Sequence, residues 1–231
     1  MVKETETKVS VIIPAYNEES TVARVTETAF QNQHVDQVIV IDDGSSDRTR
    51  EQACLAGAEV VGLEQNQGKA LAMTHGIKHA KNNLVCFLDA DLIGFQPKHL
   101  AALLSPILDG RADMNIGIRR RRYYLLNRLI RIFPLIGGER ALTKELWQAV
   151  PAKYKKRFKI EIALNYHAKK RGYKTTSFFM AGVSQIRKEN KHGFFRGFAE
   201  RLSMMWDVAL ISFELYIIDR TKIFFKNLIK K

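Results

Sequence analysis

The stretch Val9-Ser-Val-Ile-Ile-Pro-Ala-Tyr-Asn-Glu18 starts as an apolar, branched run and then turns abruptly polar. A short run of this kind is typical of a buried strand, and the polar residues after it mark the strand's end. The same arrangement recurs twice, because Gln37–Ile41 precedes Asp42-Asp43-Gly44 and Leu84–Leu88 precedes Asp89-Ala90-Asp91. The sequence therefore predicts buried strands whose ends carry polar side chains.

Helical segments are predicted between these strands and beyond them. The predicted helices are Glu19–Gln31, a segment that ends near Leu55, Gly68–Lys81 and Pro97–Leu108, and Glu59–Leu63 and Ala112–Ile118 are further strand candidates. Strands that alternate with helices imply parallel βαβ units with right-handed crossovers. In such sheets ligands bind at the carboxyl ends of the strands, so the three polar clusters are expected to share one edge.

The second half of the chain has a less regular pattern. Its segments are a basic, aromatic stretch at Arg119–Leu135, a turn and helix at Gly137–Val150, a helix at Lys159–Lys170, one or two strands in Tyr173–Ile186, and a long, partly amphipathic helix or helix pair at Phe194–Lys231. We expect an α/β fold with a mainly parallel sheet flanked by helices. Residues 1–190 would form one domain with halves of about 1–118 and 119–190, and residues 191–231 a basic helical appendage.

Charge is distributed unevenly over the 231 residues, which carry a formal net charge of +13. Residues 1–118 contain 10 Lys and Arg against 16 Asp and Glu, a net charge of −6, whereas residues 119–231 contain 27 against 8, a net charge of +19. Such a division indicates that the second half meets an anionic partner, which can be a membrane, a nucleic acid or a phosphorylated substrate.

Targeting signals and disulfide frameworks find no support in the sequence. The first eight residues contain no apolar signal-peptide core, and the most apolar long stretch, Leu202–Ile218, is interrupted by Asp207 and Glu214. Cys54 and Cys86 have no CxxC partner, which favours a reducing compartment. We expect no membrane-spanning helix and a cytoplasmic active site.

The pair Asp89 and Asp91 suits a hard divalent cation. Two carboxylates two positions apart at a strand end can face one metal ion and a diphosphate, and Mg²⁺ or Mn²⁺ takes oxygen ligands. Such a metal would neutralise charge on a departing nucleotide diphosphate. A turn with two solvated aspartates is the alternative for this pair taken alone, and a helix-capping turn is the alternative for Asp42–Asp47.

Five motifs together resemble the family 2 glycosyltransferases with the GT-A fold. In chain order they are Val11-Ile-Ile-Pro-Ala-Tyr-Asn-Glu-Glu19, Asp42-Asp43-Gly44-Ser45, Asn66-Gln67-Gly68-Lys69-Ala70, Asp89-Ala90-Asp91 and Gly137-Gly138. The resemblance covers roughly residues 9–185 and is strongest to the branch of dolichyl-phosphate mannose synthases and bacterial transferases that act on lipids. The third motif fails the spacing of a phosphate-binding P-loop.

The resemblance implies roles for individual residues. Pro14, Ala15, Tyr16 and Glu18 would line the nucleotide pocket together with Ala90. Asp43 would read the base, and Lys69 would lie near the phosphates. Asp89 would contact the ribose or the metal, and Asp91 would hold the metal, Mn²⁺ or Mg²⁺. The donor would be a UDP- or GDP-linked sugar.

Two carboxylates compete for the role of catalytic residue. The resemblance places Glu161 at the position of the family's base, where it can deprotonate an acceptor hydroxyl, although Ile160 replaces the acid that usually precedes it. Glu139 follows Gly137-Gly138, where the acceptor region begins. A phosphate acceptor needs no base, because it is already an anion. Inversion and retention of the sugar's configuration both stay open.

Cationic residues in the second half are candidates for binding a phosphate. Arg119, Arg120 and Arg140 are predicted to hold the acceptor or a phosphate group. The stretch from Arg119 to Phe133 interleaves cations with apolar residues, which suits a helix at a membrane surface, and a core-packing helix is its alternative. The C-terminal tail repeats this pattern and is predicted to lie on an anionic membrane, with a homodimer interface as the alternative.

The expected function is transfer of a hexose from a UDP- or GDP-sugar to a lipid or polyprenyl-phosphate acceptor at the cytoplasmic face of the membrane. A soluble phosphorylated acceptor such as a glycerate is the enzymatic alternative. The chain lacks a recognisable nucleic-acid-binding module, so no nucleic acid is expected. Two other classes are a basic membrane-binding module without activity and a haloacid-type phosphatase with Asp89 as nucleophile, whose motif does not match at Ile93.

Overall fold

The computed structural model describes residues 7–119, 137–156 and 159–185 and, further along, Leu210, Glu214 and Leu215. These described residues form nine strands: β1 (Val9–Ala15), β2 (Val35–Asp42), β3 (Glu59–Gly62), β4 (Leu84–Phe87), β5 (Leu92–Ile93), β6 (Met114–Ile118), β7 (Arg140–Thr143), β8 (Thr175–Phe179) and β9 (Ser184–Gln185). The helices are α1 (Val22–Phe30), α2 (Thr49–Leu55), α3 (Lys69–His79), α4 (Pro97–Leu108), α5 (Lys144–Ala149) and α6 (Lys159–Lys170), with a 3₁₀ turn at Ala152–Tyr154.

Seven strands form one mixed sheet in the order β3-β2-β1-β4-β7-β6-β8. Strands β1, β2, β3 and β4 pair in parallel, and β6 pairs in parallel with β8. Strand β7 runs antiparallel to both of its neighbours, β4 and β6. The carboxyl ends of the parallel strands therefore meet the beginning of β7 at one edge of the sheet.

Both faces of the sheet are covered by helices, as the apolar strands require. One buried cluster joins Ile12, Ile39 and Phe87 of the sheet to residues of α3, α5 and α6. The other joins Val11, Val40 and neighbouring strand residues to α1, α2 and α4. Helix α3 lies so close to β1 that a Cβ on Gly76 would be 2.2 Å from Ile12 Cγ2, so a glycine is required there.

The predicted fold class is confirmed, with differences at particular elements. The bounds of α4 and α6 agree with the predicted helices Pro97–Leu108 and Lys159–Lys170. The start of α4 is fixed by Pro97 and by a capping box between Gln96 and His99. The prediction of a turn and helix over Gly137–Val150 was wrong in part, because Arg140–Thr143 is a strand inside the sheet.

A short two-stranded sheet lies beside the large one. Strand β5 follows Asp91 directly and pairs antiparallel with β9, so that Leu92 is opposite Gln185 and Ile93 is opposite Ser184. The backbones approach closely next to this pair, since a Cβ on Gly94 would lie 2.4 Å from Gly182 O. The segment after Asp91 is thereby held against residues 182–185.

The predicted appendage falls largely outside the described residues, and its separation from residues 1–190 stays a prediction. Two of its described residues contact the domain. Leu215 is buried in the cluster beneath α5 and α6, and Glu214 Oε1 accepts hydrogen bonds from Lys153 Nζ at 2.8 Å and Tyr154 OH at 2.9 Å. Among the described residues, no helix is long and apolar enough to cross a bilayer.

Candidate active site

Strand ends bring the predicted polar clusters to one edge of the sheet. The loops after β1, β2 and β4 meet there, together with Lys69 at the start of α3. The antiparallel direction of β7 adds Gly137-Gly138-Glu139, which precede that strand, to the same edge. The first turn of α6 contributes Glu161 from the covering layer.

The loops after β1 and β2 are joined by hydrogen bonds between backbone amides and side chains. Asn17 adopts a left-handed conformation with φ of 54°, its amide donates to Ser45 Oγ at 3.0 Å, and its Oδ1 accepts from the Ser46 amide at 2.9 Å. The Glu18 amide donates to Thr49 Oγ1 at 2.7 Å. These contacts fix the loop carrying Tyr16, whose side chain is exposed beside buried Ala15 and partly buried Pro14.

Asp43 holds the loop that leads into α3. Its Oδ1 accepts from the Gln67 amide and its Oδ2 from the Gly68 amide, both at 2.8 Å, and its side chain is buried. Gly68 has a φ of +89°, which a glycine adopts without strain. Because Lys69 follows at once, the carboxylate of Asp43 helps to fix the backbone from which the Lys69 side chain extends.

Asp89 lies between two cations. Its Oδ1 is 2.7 Å from Lys69 Nζ, and its Oδ2 is 3.2 Å from Arg119 Nη2. Burial alone would raise the pKa of Asp89, but the charges of Lys69 and Arg119 hold it well below its usual range. Burial alone would lower the pKa of Lys69, but Asp89 and Glu161 raise it above its usual value. Both groups are therefore charged.

Glu139 is fully buried behind this cluster, with 0% of its surface exposed. Its Oε1 is 3.3 Å from Arg119 Nη1, at an angle that makes an ion pair but not a hydrogen bond. Burial, followed by repulsion from Asp89, raises the pKa of Glu139 to about 8, against the opposing effect of Arg119 and Lys69.

Arg119 lies at the centre of the carboxylates. Its side chain is 19% exposed at the end of β6. Burial alone would lower its pKa, but nearby negative charges raise it. In decreasing order of effect, these charges are Glu139, Asp89, Asp91 and Glu161. One guanidinium is therefore within electrostatic range of both predicted metal ligands and both predicted catalytic residues.

Gly138 allows the backbone before β7 to approach the charged pair. A Cβ at this position would lie 2.7 Å from Asp89 Oδ2 and 2.9 Å from Lys69 Nζ. Such distances are too short for real contacts, so a side chain here would displace one of the two groups. Steric crowding thus explains why the second residue of the Gly-Gly pair is a glycine.

Glu161 lies on the first turn of α6 and faces the cluster from the covering layer. Its Oε1 is 3.6 Å from Lys69 Nζ, and its side chain is 13% exposed. Ile160, which replaces the family's preceding acid, is buried in the core beneath α6. The structure therefore brings Glu161 and Glu139 to one cluster and distinguishes them by their exposure.

Arg140 was predicted to bind the acceptor or a phosphate, and the structure places it elsewhere. It is fully buried, and its guanidinium donates to backbone carbonyls of Gly137 and Glu161. Arg120 lies outside the described residues. Arg119 is thus the one predicted phosphate-binding arginine that the described chain places in the cluster.

Residues that support the loop after Asp91 were not predicted. Arg24 Nη2 donates to Leu92 O at 3.1 Å, and His99 Nε2 lies 3.1 Å from Ala181 O while its Nδ1 accepts from the Gln96 amide. Burial lowers the pKa of His99, which is consistent with a neutral ring. Their partners are distant backbone carbonyls, and no motif or periodicity marks such contacts in a sequence.

A divalent cation fits the chemistry of this edge. In the part of the chain that the structure describes, no group of three or more Asp, Glu, His or Cys side chains could enclose a metal. Mg²⁺ and Mn²⁺ bound with a nucleotide do not need one, because one or two carboxylates, waters and the phosphates complete the shell. Asp91, half-buried beside Arg119, and Asp89 supply such carboxylates.

Sequence comparison finds curated relatives of two kinds. Residues 10–189 match the family model described as glycosyl transferase family 2. A glucosyl-3-phosphoglycerate synthase from Mycolicibacterium smegmatis is 32% identical over 177 residues, 62% of this chain and 58% of that protein. An undecaprenyl-phosphate 4-deoxy-4-formamido-L-arabinose transferase from Aeromonas hydrophila is 38% identical over 124 residues. The match covers 49% of this chain and 37% of that protein. The matches thus span between about a third and three fifths of the length of these curated relatives.

A similar solved structure is glucosyl-3-phosphoglycerate synthase from Mycobacterium tuberculosis in complex with Mn²⁺, UDP and phosphoglyceric acid. It is 25% identical with a TM-score of 0.74, and the match covers 90% of this chain and 78% of that one.

These relatives contradict the prediction of a lipid or polyprenyl-phosphate acceptor. The match to the phosphoglycerate enzymes is longer in sequence than the match to the lipid-phosphate enzyme, and in structure it covers nine tenths of the chain. The error has a physical cause, since cationic side chains recognise the phosphate group that lipid and soluble acceptors share. With its family model matched from β1 to just beyond β9, the chain belongs to glycosyl transferase family 2.

Proposed function

We propose that the chain transfers a hexose, most simply glucose, from a UDP-sugar to a soluble phosphorylated three-carbon acid such as 3-phosphoglycerate, with Mn²⁺ or Mg²⁺. The observation that carries this proposal is the similarity, in sequence and over 90% of the structure, to enzymes that make glucosyl-3-phosphoglycerate. The charged cluster at the sheet edge agrees with it, because both substrates are anions.

The donor would bind over the loops after β1, β2 and β4. Asp91, with Asp89, would hold the divalent cation, and the cation supplies charge neutralisation on the departing diphosphate. Lys69 is 36% exposed and sits at the start of α3, so its ammonium group can turn from Asp89 to a phosphate oxygen. Pro14, Tyr16, Glu18 and Asp43 would border the nucleoside, as the resemblance to the family implies.

The acceptor would bind on the side of β6 and β7. Arg119 is only partly exposed, and its planar guanidinium matches a phosphate or carboxylate with two parallel hydrogen bonds. Its partners in the structure are the carboxylates of Asp89 and Glu139. An incoming anion would therefore replace a carboxylate as the partner of this arginine.

In the reaction, the bond between the anomeric carbon and the diphosphate oxygen breaks, and a bond to an acceptor hydroxyl oxygen forms. The hydroxyl proton must pass to a base. Of the two predicted carboxylates, Glu161 is better placed because it is partly exposed and faces Lys69, whereas Glu139 is fully enclosed and paired with Arg119. Glu139 would then stabilise the arrangement of Arg119.

The decisive experiment measures UDP release and product mass with UDP-glucose, Mn²⁺ and 3-phosphoglycerate. Glycerate, which lacks the phosphate, is the matched acceptor, and GDP-glucose is the matched donor. We expect turnover only when the phosphorylated acceptor and UDP-glucose are both present. Equal rates with glycerate would contradict the proposed acceptor, and UDP release without any glycosylated product would contradict the transfer.

The C-terminal tail is proposed to lie on an anionic surface, as its composition suggests, and the described contacts of Glu214 and Leu215 with the domain do not test this. Sedimentation with vesicles of phosphatidylserine and phosphatidylcholine tests it, and vesicles of phosphatidylcholine alone are the control. Binding to neither, together with a doubled mass in solution, would favour the homodimer interface instead.

A further inference from the structure

A fully buried arginine lies in the middle of an otherwise apolar sheet face. Arg140 begins β7, opposite Phe87 of β4 and Ile116 of β6, and none of its surface is exposed. Arginine stays protonated in proteins, and an enclosed guanidinium is retained only when its donors are satisfied. Its contacts therefore indicate what it does.

The guanidinium of Arg140 joins two separate backbone segments. Its Nη2 and Nε donate to the carbonyl of Gly137, at 2.6 Å and 3.2 Å, and its Nη1 donates to the carbonyl of Glu161 at 3.4 Å. The first segment leads into Glu139, and the second is the first turn of α6. One side chain thus spans the two elements that carry the competing carboxylates.

Different contacts hold the three residues of the turn before β7, and Arg140 holds the first of them. The Glu139 carbonyl accepts from the Gly117 amide at 2.9 Å, which anchors the end of the turn. Gly138 must stay against Asp89 and Lys69, with no room for a side chain. The Gly137 carbonyl, which comes before both, is held by the guanidinium of Arg140.

We propose that Arg140 is a positioning residue that fixes Glu139 and Glu161 relative to one another and to Asp89, and that it binds no substrate. Only the kinetic consequences of this inference rest on the proposed function. The charge of Arg140 is balanced at longer range by Glu161, Glu139 and Asp89, whose influence on its pKa opposes the lowering that burial causes. Substitutions can therefore distinguish the effect of the charge of Arg140 from the effect of its hydrogen-bond geometry.

The experiment compares Arg140→Lys, which keeps the charge but not the planar fork, with Arg140→Met, which removes both. Leu142→Val is the matched control, since Leu142 is buried in the same strand and in the cluster under α6. For each variant we would measure thermal stability, hydrogen exchange of the 137–140 and 159–163 backbone, and kcat and KM per UDP-binding site. Counting sites by calorimetry removes any unfolded fraction.

We expect Arg140→Lys to speed exchange in both segments and to lower kcat about 10-fold or more, because a misplacement of about 1 Å can cost on the order of 100-fold. The KM for the phosphorylated acceptor should stay within about twofold, and Leu142→Val should keep kcat at equal site count. A lysine variant with wild-type exchange, or a raised acceptor KM at unchanged kcat, would overturn the inference. If the wild-type chain shows no transfer, the proposed function fails, and the exchange data alone decide the role of Arg140.

Discussion

The two sides of the active-site edge are built by different interactions. On the donor side, the loops after β1 and β2 are held by hydrogen bonds between side chains and backbone amides, such as those of Asn17 and Asp43. On the charged side, where the donor's diphosphate and the acceptor are proposed to meet, Lys69, Asp89 and Arg119 form a chain of ion pairs with Glu139 and Glu161 at its ends.

This difference suggests what each side does when substrates arrive. Hydrogen bonds to backbone amides fix the position of the chain, so the donor side is ready in shape before the nucleotide binds. Ion pairs between side chains can be exchanged for other charges, and each cation of the cluster is already paired with carboxylates. The charged side thus offers exchangeable charges more than a fixed backbone shape.

Removal of the proposed metal-binding carboxylate should have the largest effect. We expect Asp91→Asn to lower kcat by at least about 100-fold, because loss of the cation removes several kcal/mol of charge stabilisation. Folding should be unaffected. The control is Asp109→Asn, an exposed carboxylate paired with Arg111 at the end of α4. Steady-state rates at saturating Mn²⁺ check this, and near-normal turnover of the Asp91 variant would remove it from the metal site.

A methyl group at Gly138 should disturb the charged side without changing any charge. In Gly138→Ala, the new Cβ would collide with Asp89 and Lys69, and we expect a loss of about 10-fold in kcat and of about 1–3 kcal/mol in the free energy of unfolding. Gly110→Ala is the control, since its left-handed φ of +66° strains the backbone but its Cβ would contact nothing. Urea unfolding and rate measurements compare the two, and equal behaviour would mean that the approach of Gly138 is unimportant.

On the donor side, a substitution should weaken nucleotide binding by disturbing the backbone conformation. Asp43→Asn replaces one acceptor oxygen with an amide that cannot accept from Gln67 or Gly68, at a cost of about 1–3 kcal/mol. We expect weaker binding of UDP with Mn²⁺ in calorimetry, because the start of α3 and Lys69 lose their support. Asp42→Asn, which instead loosens the Ser45 turn and Arg50, should weaken binding less. The reverse order would contradict the role given to Asp43.

The last expected effect is on stability and not on turnover, and it is a pH dependence that arises from Glu139. The pKa of this group is raised from 4.5 to about 8 on folding, so the folded chain holds the proton more tightly. The stability it contributes is complete below about pH 4.5 and is lost as the pH rises towards about 8. The melting temperature of the metal-free wild type should therefore fall relative to Glu139→Gln between pH 5 and pH 8. Parallel melting curves for the two would show that Glu139 is already ionised.

Much of the donor side could be predicted from the sequence. The apolar runs before Tyr16, Asp42 and Asp89 identify three strands, and the alternation with helices places their ends on one edge. Local patterns suffice there, because each polar cluster is adjacent in sequence to the strand that carries it. The resemblance to a known family assigned Lys69 and Glu161, and the structure places Lys69 between Asp89 and Glu161.

The charged side was harder to predict because its contacts are distant in sequence. The strand Arg140-Ala-Leu-Thr143 has four residues and starts with a buried arginine, so neither length nor alternation distinguishes it from a turn before a helix. Its antiparallel direction is what brings Glu139 to Arg119 and Gly138 to Asp89. Without that direction, Arg140 resembles a surface cation and was assigned to the acceptor.

The reversed strand also leaves both ends of one connection at the catalytic edge. The chain leaves β6 at Arg119 and returns at Gly137, where a Cβ would be 2.5 Å from Gly117 O. Because these two ends lie side by side, the intervening stretch can change in length or sequence without shifting any strand. Across the family, the residues between these two ends are therefore free to vary while the strand ends that carry Asp43 and Asp89 stay in register.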